Sequence, residues 1–247
     1  MINIIIPMAG LGSRFSKAGY SKPKPFIDVA GKPMIERVLD NLTAPGVRFI
    51  LLARDEHIQN YASHVAHIKQ QYNAEFFPIN SLTQGTACTV MLARKLINDN
   101  TPLIIANSDQ IIDIEFNHFI EDAHTRDLDG SILTFPDESK DPKWSFARLD
   151  KYGFVIEVRE KKPISDHATV GIYYFKRGSD FTEGAIEMIL DQDMVNGEYY
   201  TCPVYNYLIK DDQKVGIYEI AVDQMHGIGT PEDLDAYLNL RYSKGAF

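Results

Sequence analysis

An α/β fold is predicted: a mixed, mostly parallel sheet flanked by helices, with a smaller β-rich lobe in the second half. Three observations carry this. Apolar runs of strand length alternate with helical periodicity over about the first 110 residues. Short strands then follow one another closely. Glycine and acidic turn residues stand where the early strands end, and the carboxyl ends of parallel strands are where ligands of such sheets gather.

Ile2 to Pro7 is a β-branched apolar run and reads as a strand buried on both faces. It empties into Gly10-Leu11-Gly12-Ser13-Arg14, and Lys24 follows between Pro23 and Pro25. Phe26 to Val29 reads as extended. Gly31-Lys32-Pro33 introduces a helix, with Pro33 at a first-turn position and Met34, Ile35, Val38, Leu39 and Leu42 as its apolar stripe. Val47 to Ala53 is a second strand, Asp55 to Gln71 one long helix, and Glu75 to Pro78 a third strand. Thr86 to Ile97 has helical spacing, and Leu103 to Ala106 is a fourth strand ending at Asn107-Ser108-Asp109. Such alternation implies right-handed crossovers and parallel strands.

Beyond this point, strands are expected at Ser131 to Phe135, Phe146 to Leu149, Phe154 to Glu160 and Thr169 to Phe175, with a hairpin turn at Asp150-Lys151-Tyr152-Gly153. Helices follow at Asp180 to Leu190 and Thr201 to Ile209, then a strand from Val215 to Val222. Thr230-Pro231-Glu232-Asp233 has the N-cap, first-turn proline and early acids of a helix start. With no repeat or low-complexity tract, residues 1–247 read as one domain, whose character changes between 1–130 and 131–247.

The 247 residues can bury a sizeable core, and 45% hydrophobic with 24% charged residues is ordinary for a globular chain. A net charge of -9 argues against a general nucleic-acid-binding surface but not against a locally basic pocket. Cys88 and Cys202 are too far apart for zinc spacing and read as free thiols. The first residues lack a signal-peptide pattern and no apolar run reaches membrane-span length, so a cytoplasmic protein without a membrane partner is expected. A homo-oligomer is compatible with the composition.

Backbone N–H groups, one Arg and one Lys beyond a strand end can hold polyphosphate. The dinucleotide-binding pattern does not fit, because Phe15 takes the third glycine's place. A P-loop does not fit either, because Pro33 follows Gly31-Lys32 and Phe26 replaces the first glycine. The order Gly10-x-Gly12-x-Arg14, Pro23-Lys24, Gly31-Lys32-Pro33-Met34 resembles the NDP-sugar pyrophosphorylases, nucleotidyltransferases that activate sugar phosphates and related small phosphates. The likeness continues through Gln84-Gly85-Thr86-Ala87, Asn107-Ser108-Asp109, Lys161-Lys162-Pro163, Val170-Gly171-Ile172-Tyr173, Gly197-Glu198 and Gly229-Thr230-Pro231.

The resemblance implies a Rossmann-related, GT-A-like fold and transfer of NMP from an NTP to a phosphorylated small acceptor, with release of pyrophosphate. It implies Arg14 and Lys24 as catalytic cations, and Ala9, Gly10, Leu11, Gly12, Ser13, Gln84, Gly85, Thr86 and Ser108 around the nucleotide. Asp109 would hold Mg²⁺, and Lys161, Lys162, Gly171 and Glu198 would meet the acceptor.

Two departures stand out. Relatives carry Glu-Lys-Pro, whose acid reads sugar hydroxyls. Aligned on Pro163, this chain has Lys161 in the acid's place and Lys162 as the retained lysine. Relatives also carry a metal-binding D-x-G-T, which here is Gly227-Ile228-Gly229-Thr230, leaving Asp223 as the nearest substitute. With IPMAGLGSRF, ANSDQ and VGIYYF, these departures resemble capsule-associated cytidylyltransferases, one of which acts on phosphoglutamine. CTP is thus expected over dTTP or UTP, with a sugar 1-phosphate or a non-sugar phosphate as acceptor. A GT-A-type glycosyltransferase is the alternative, although its usual Asp-x-Asp motif is reduced here to Ser108-Asp109-Gln110. A silent nucleotide-binding regulator is a third reading.

Overall fold

A computed structural model describes residues 1–243 and Gly245. Residues 244, 246 and 247 of the expected single domain lie outside the described residues. In chain order the elements are β1 (Ile2–Pro7), α1 (Ser13–Lys17), β2 (Asp28–Val29), β3 (Lys32–Pro33), α2 (Met34–Asn41), β4 (Val47–Arg54), α3 (Asp55–Asn60), α4 (Ala62–Gln71) and β5 (Ala74–Ile79). Then come α5 (Thr86–Leu92), α6 (Arg94–Ile97), β6 (Leu103–Ala106), β7 (Gln110–Ile112), α7 (Phe116–Thr125), β8 (Gly130–Pro136), β9 (Ser145–Leu149) and β10 (Val155–Glu160). The chain continues through β11 (His167–Phe175), α8 (Gly178–Leu190), α9 (Tyr205–Lys210), β12 (Val215–Glu219), β13 (Met225–Gly227) and α10 (Pro231–Ser243).

The mixed sheet is built on four parallel strands in the order β6-β1-β4-β5. Its two faces carry two cores, and strand alternation decides which side chain joins which. In β1, Ile4 and Ile6 face the core under α2, α4, α7 and α10, whereas Ile5 faces the core under α5, α8 and α9. All three are fully buried, each contributing about 2 kcal/mol of apolar burial. The second half joins through β11, antiparallel to β6 on one side and to β8 and β9 on the other. Its register shifts between Thr169 and Tyr173, and Gly171 in that interval has φ +91°. This bulge lets the backbone of β11 approach the end of β6, where Asn107 N–H donates to Gly171 O at 3.0 Å.

The fold class agrees with expectation, while several elements differ locally. The helix expected over 55–71 breaks at Tyr61, whose ring stacks on Phe26 at 4.5 Å. The helix over 86–97 breaks at Ala93. Residues 202–204 form a 3-10 turn, and the α-helix begins only at Tyr205. The piece over Phe26 to Val29 begins as a second 3-10 turn at Lys24–Phe26. Pro33 caps α2 with an extended ψ of 143° instead of entering it. Strand β12 ends at Glu219, and Val222 lies in an exposed turn.

Helix α7 adds an element with a legible apolar stripe: Phe116, Phe119, Ile120 and Ala123 are buried at i, i+3, i+4 and i+7. The β7–β13 ribbon was not legible, since three-residue strands carry too little pattern. Other expectations agree: Asp150 Oδ1 accepts from Tyr152 N–H at 2.8 Å and Phe154 N–H at 2.9 Å in the hairpin turn. Thr230 Oγ1 accepts from Asp233 N–H at 3.1 Å at the start of α10. Cys88 and Cys202 are free. No helix among the described residues is long and apolar enough to cross a membrane.

Candidate active site

The carboxyl ends of β1 and β6 open onto a cavity of about 440 Å³. Around it stand Gly10, Gly12, Ser13, Arg14, Lys24, Thr86, Ser108 and Asp109, all expected from the sequence. Gly12 has φ +60° at the entry to α1, and a Cβ on it would lie 3.1 Å from Lys24 Cβ, so the loop and the lysine touch. Lys24 sits between two prolines on its 3-10 turn, which Phe26 anchors in the core. Asp109 is held from behind, where its carbonyl accepts Ile228 N–H at 2.9 Å as β13 pairs with β7. Lys24 Nζ and Asp109 Oδ2 form an ion pair across the cleft.

A second cavity of about 240 Å³ adjoins the first, and both are lined by Thr86 and Asn107. Lys161 and Gly171 line it as expected, together with Glu160, Tyr200, Trp144 and Thr201, which were not assigned there. Lys161 Nζ donates to Tyr200 Oη at 2.5 Å and lies 4.4 Å from the centre of that ring. Tyr200 in turn donates to Glu198 at 2.5 Å. Burial alone would lower the Lys161 pKa, but the Tyr200 hydroxyl, Glu160 and Glu198 outweigh it and the net shift is upward. Burial pushes the Glu160 carboxyl up, opposed by a hydrogen bond from the Ser145 hydroxyl and by the Lys161 charge.

This arrangement bears on the register at Lys161-Lys162-Pro163. Lys161 adopts φ +54°, a left-handed turn immediately after β10. The turn leaves Glu160 and Lys161 beside the cavity and Lys162 exposed outside it. Glu160 and Lys161 thus stand beside the cavity as an adjacent acid and lysine, one residue before the pair that alignment on the proline gives. We expect Lys161→Ala to raise the acceptor KM by about tenfold or more, the loss of a charge-assisted contact, and Lys162→Ala to change it by less than about twofold. Steady-state kinetics with varied acceptor checks this, and equal effects would restore the earlier register.

Asp223 stands apart from this cleft. It lies on an exposed turn before β13. Met225 pairs with Ile112 and Gly227 with Gln110, so Asp223 lies past the end of the ribbon distant from Asp109. It is absent from the residues around the cleft. Asp109 is the one acid among those residues, and no group of three His, Cys, Asp or Glu among the described residues could hold a metal. One carboxylate fits Mg²⁺, a hard cation that takes one or two carboxylates and completes its shell with phosphate oxygens and water.

The remaining assignments scatter. Ala9 borders a third cavity of about 220 Å³ with Arg54, Asp55, Glu56 and Asn80, at the ends of β4 and β5. Leu11 is 63% exposed. Gln84 and Gly85 meet the second half of the chain directly: Gln84 O accepts Tyr199 N–H at 2.8 Å, and Tyr199 O accepts Ala87 N–H at 3.0 Å.

A parallel sheet whose strand ends carry a glycine loop, two cations and an opposing carboxylate defines a phosphate-binding α/β protein of nucleotide type. The chain belongs to the nucleotidyl transferase family, whose model matches residues 3–193. It is 27% identical over 180 residues to the mannose-1-phosphate guanylyltransferase catalytic subunit beta of Dictyostelium discoideum, covering 69% of this chain and 48% of that one. It is 30% identical over 155 residues to a mannose-1-phosphate guanyltransferase of Aspergillus oryzae, covering 62% of this chain and 40% of that one. The chain thus spans about half or less of the length of these relatives.

Among solved structures, the nucleoside-diphosphate-sugar pyrophosphorylase from Vibrio cholerae RC9 matches with TM-score 0.81 and 27% identity, covering 96% of this chain and 99% of that one. The inositol-1-phosphate CTP transferase from T. maritima shares the fold, with TM-score 0.76 at 14% identity, covering 99% of this chain and 96% of that one.

Proposed function

We propose that this protein transfers NMP from an NTP to a small phosphorylated acceptor and releases pyrophosphate. The observation that carries the reading is the pair of joined cavities, with Lys24 and Asp109 in one, Glu160 and Lys161 in the other, and Thr86 and Asn107 between. An acceptor phosphate oxygen attacks the α-phosphorus in line, a new P–O bond forms, and the bond to the β-phosphate oxygen breaks. Such chemistry needs positioning and charge stabilisation more than a nucleophilic side chain. Arg14 holds the β- and γ-phosphates, and Lys24 offsets charge at the α-phosphoryl group. Mg²⁺ bound at Asp109 supplies further neutralisation of phosphate charge.

Glu160 favours an acceptor with hydroxyl or amine donors, because a carboxylate only accepts hydrogen bonds. A sugar 1-phosphate is therefore the preferred acceptor. The pair of lysines that suggested phosphoglutamine is divided, Lys162 lying outside the cavity. For the base, CTP remains the first choice on the motifs, and GTP is its main competitor because the curated relatives are guanylyltransferases. A precursor for capsule or surface polysaccharide is the corresponding product.

A matrix of CTP, GTP, UTP and dTTP against glucose 1-phosphate, mannose 1-phosphate and phosphoglutamine, read by pyrophosphate release with Mg²⁺, tests the reading. Release is expected with CTP or GTP and a sugar 1-phosphate. Release with phosphoglutamine alone would overturn the acceptor assignment, and none with any pair would overturn the reaction.

A further inference from the structure

One carboxylate oxygen in the cleft has close neighbours on two sides. Lys24 Nζ is ion-paired to Asp109 Oδ2. Gly229 packs against the same oxygen so closely that a Cβ on it would lie 2.3 Å away. Oδ2 is thus enclosed by an ammonium and by backbone, and both side chains are only 21% exposed. Mg²⁺ binds carboxylate oxygen at about 2.0–2.1 Å. With Lys24 still attached to Oδ2, a cation on either oxygen of the carboxylate would stand within a few ångströms of the ammonium, and their like charges would repel.

The lysine is mounted so that its end alone can move. Pro23 and Pro25 restrict the backbone on either side, and Lys24 O accepts Ile27 N–H at 3.2 Å to close the turn. Its Cβ lies against Gly12. Beyond Cβ the stem is a flexible chain ending in a point charge. In front of it lies the cavity that also holds Gly10, Ser13 and Arg14.

We propose that Lys24 and a divalent cation compete for Asp109, and that a triphosphate seated on the Gly10–Arg14 loop ends the competition by drawing the ammonium toward itself. This rests on the nucleotidyl-transfer reading. Lys24 then has two successive partners: it neutralises Asp109 first and the triphosphate afterwards. Metal and nucleotide consequently bind with positive coupling, and linkage makes the coupling reciprocal. Neither loads tightly alone, which suits a site where a single protein carboxylate meets the metal.

The test uses Mn²⁺ alone as the probe, with free Mn²⁺ counted by electron paramagnetic resonance. Lys24→Met and Lys24→Gln are expected to bind Mn²⁺ about tenfold or more tightly than the unsubstituted protein, and adding Asp109→Asn to either should abolish the gain. The glutamine variant keeps much of the stem and an N–H donor toward Asp109, so it serves if the methionine variant folds poorly. Mn²⁺ affinity equal in the unsubstituted protein and both variants would overturn the competition, while the reaction would still be judged by pyrophosphate release. Tightened Mn²⁺ binding without pyrophosphate release from any substrate pair would support the competition and overturn the reaction.

Discussion

Lys24→Ala is expected to lower the rate of pyrophosphate release by roughly a thousandfold, the scale on which one preorganised charge contact acts in a transition state. The fold should survive. The stem is not part of either core, and the Asp109 carboxylate left behind opens onto the cleft, where water can solvate it. The stability change should therefore stay within about 1 kcal/mol. Single-turnover rates with the pair identified by the substrate matrix, together with a thermal melt, check both parts. A variant retaining the full chemical rate would overturn the role given to Lys24. A variant that loses several kcal/mol would show instead that the ion pair is structural.

Gly85→Ala is expected to damage stability and catalysis together. Gly85 has φ +104° and ψ 174°, which L side chains rarely adopt, and a Cβ there would stand 2.4 Å from Tyr199 O and 2.6 Å from Tyr199 N. Those backbone atoms hold the 84–87 turn through hydrogen bonds to Gln84 and Ala87. Neither segment can yield without breaking one of them. A cost of about 2–4 kcal/mol follows, or roughly 5–15 °C in Tm for a chain of this size. Because the same junction positions Thr86 between the cavities and leads to Tyr200, kcat/KM should fall for both substrates. Gly10→Ala is the control: nothing lies within 4 Å of a Cβ there and its φ is not positive, so Tm should change by less than about 2 °C.

The nucleotide side of the cleft was legible because its parts lie at strand ends. A short β-branched run such as Ile2–Pro7 reads as a buried strand, which puts the loop after it at the sheet's carboxyl edge. The same logic brought Asp109, after β6, to the same edge as Arg14 and Lys24. The acceptor side was less legible because it is assembled from turns. Lys161 takes a left-handed backbone conformation with no glycine to mark it, so which of residues 160–162 face the cavity was not visible in the sequence. Tyr200 stood among other tyrosines with nothing in its neighbours to single it out. Its link to Lys161, 39 positions away, exists only after β10 and the 198–201 segment have packed side by side.

By itself, then, the sequence determined the alternating sheet, the glycine loop, and the two cations opposite one acid. These depend on periodicity and spacing within single elements, which local sterics and burial dictate. Tertiary structure alone decided that Glu160 borders the second cavity while Lys162 lies outside it, that Asp223 is remote from Asp109, and that Lys24 and Asp109 form an ion pair. Each of those outcomes depends on one backbone turn or on a pairing across the sheet. Such contacts are set by where distant segments meet, which no local pattern encodes.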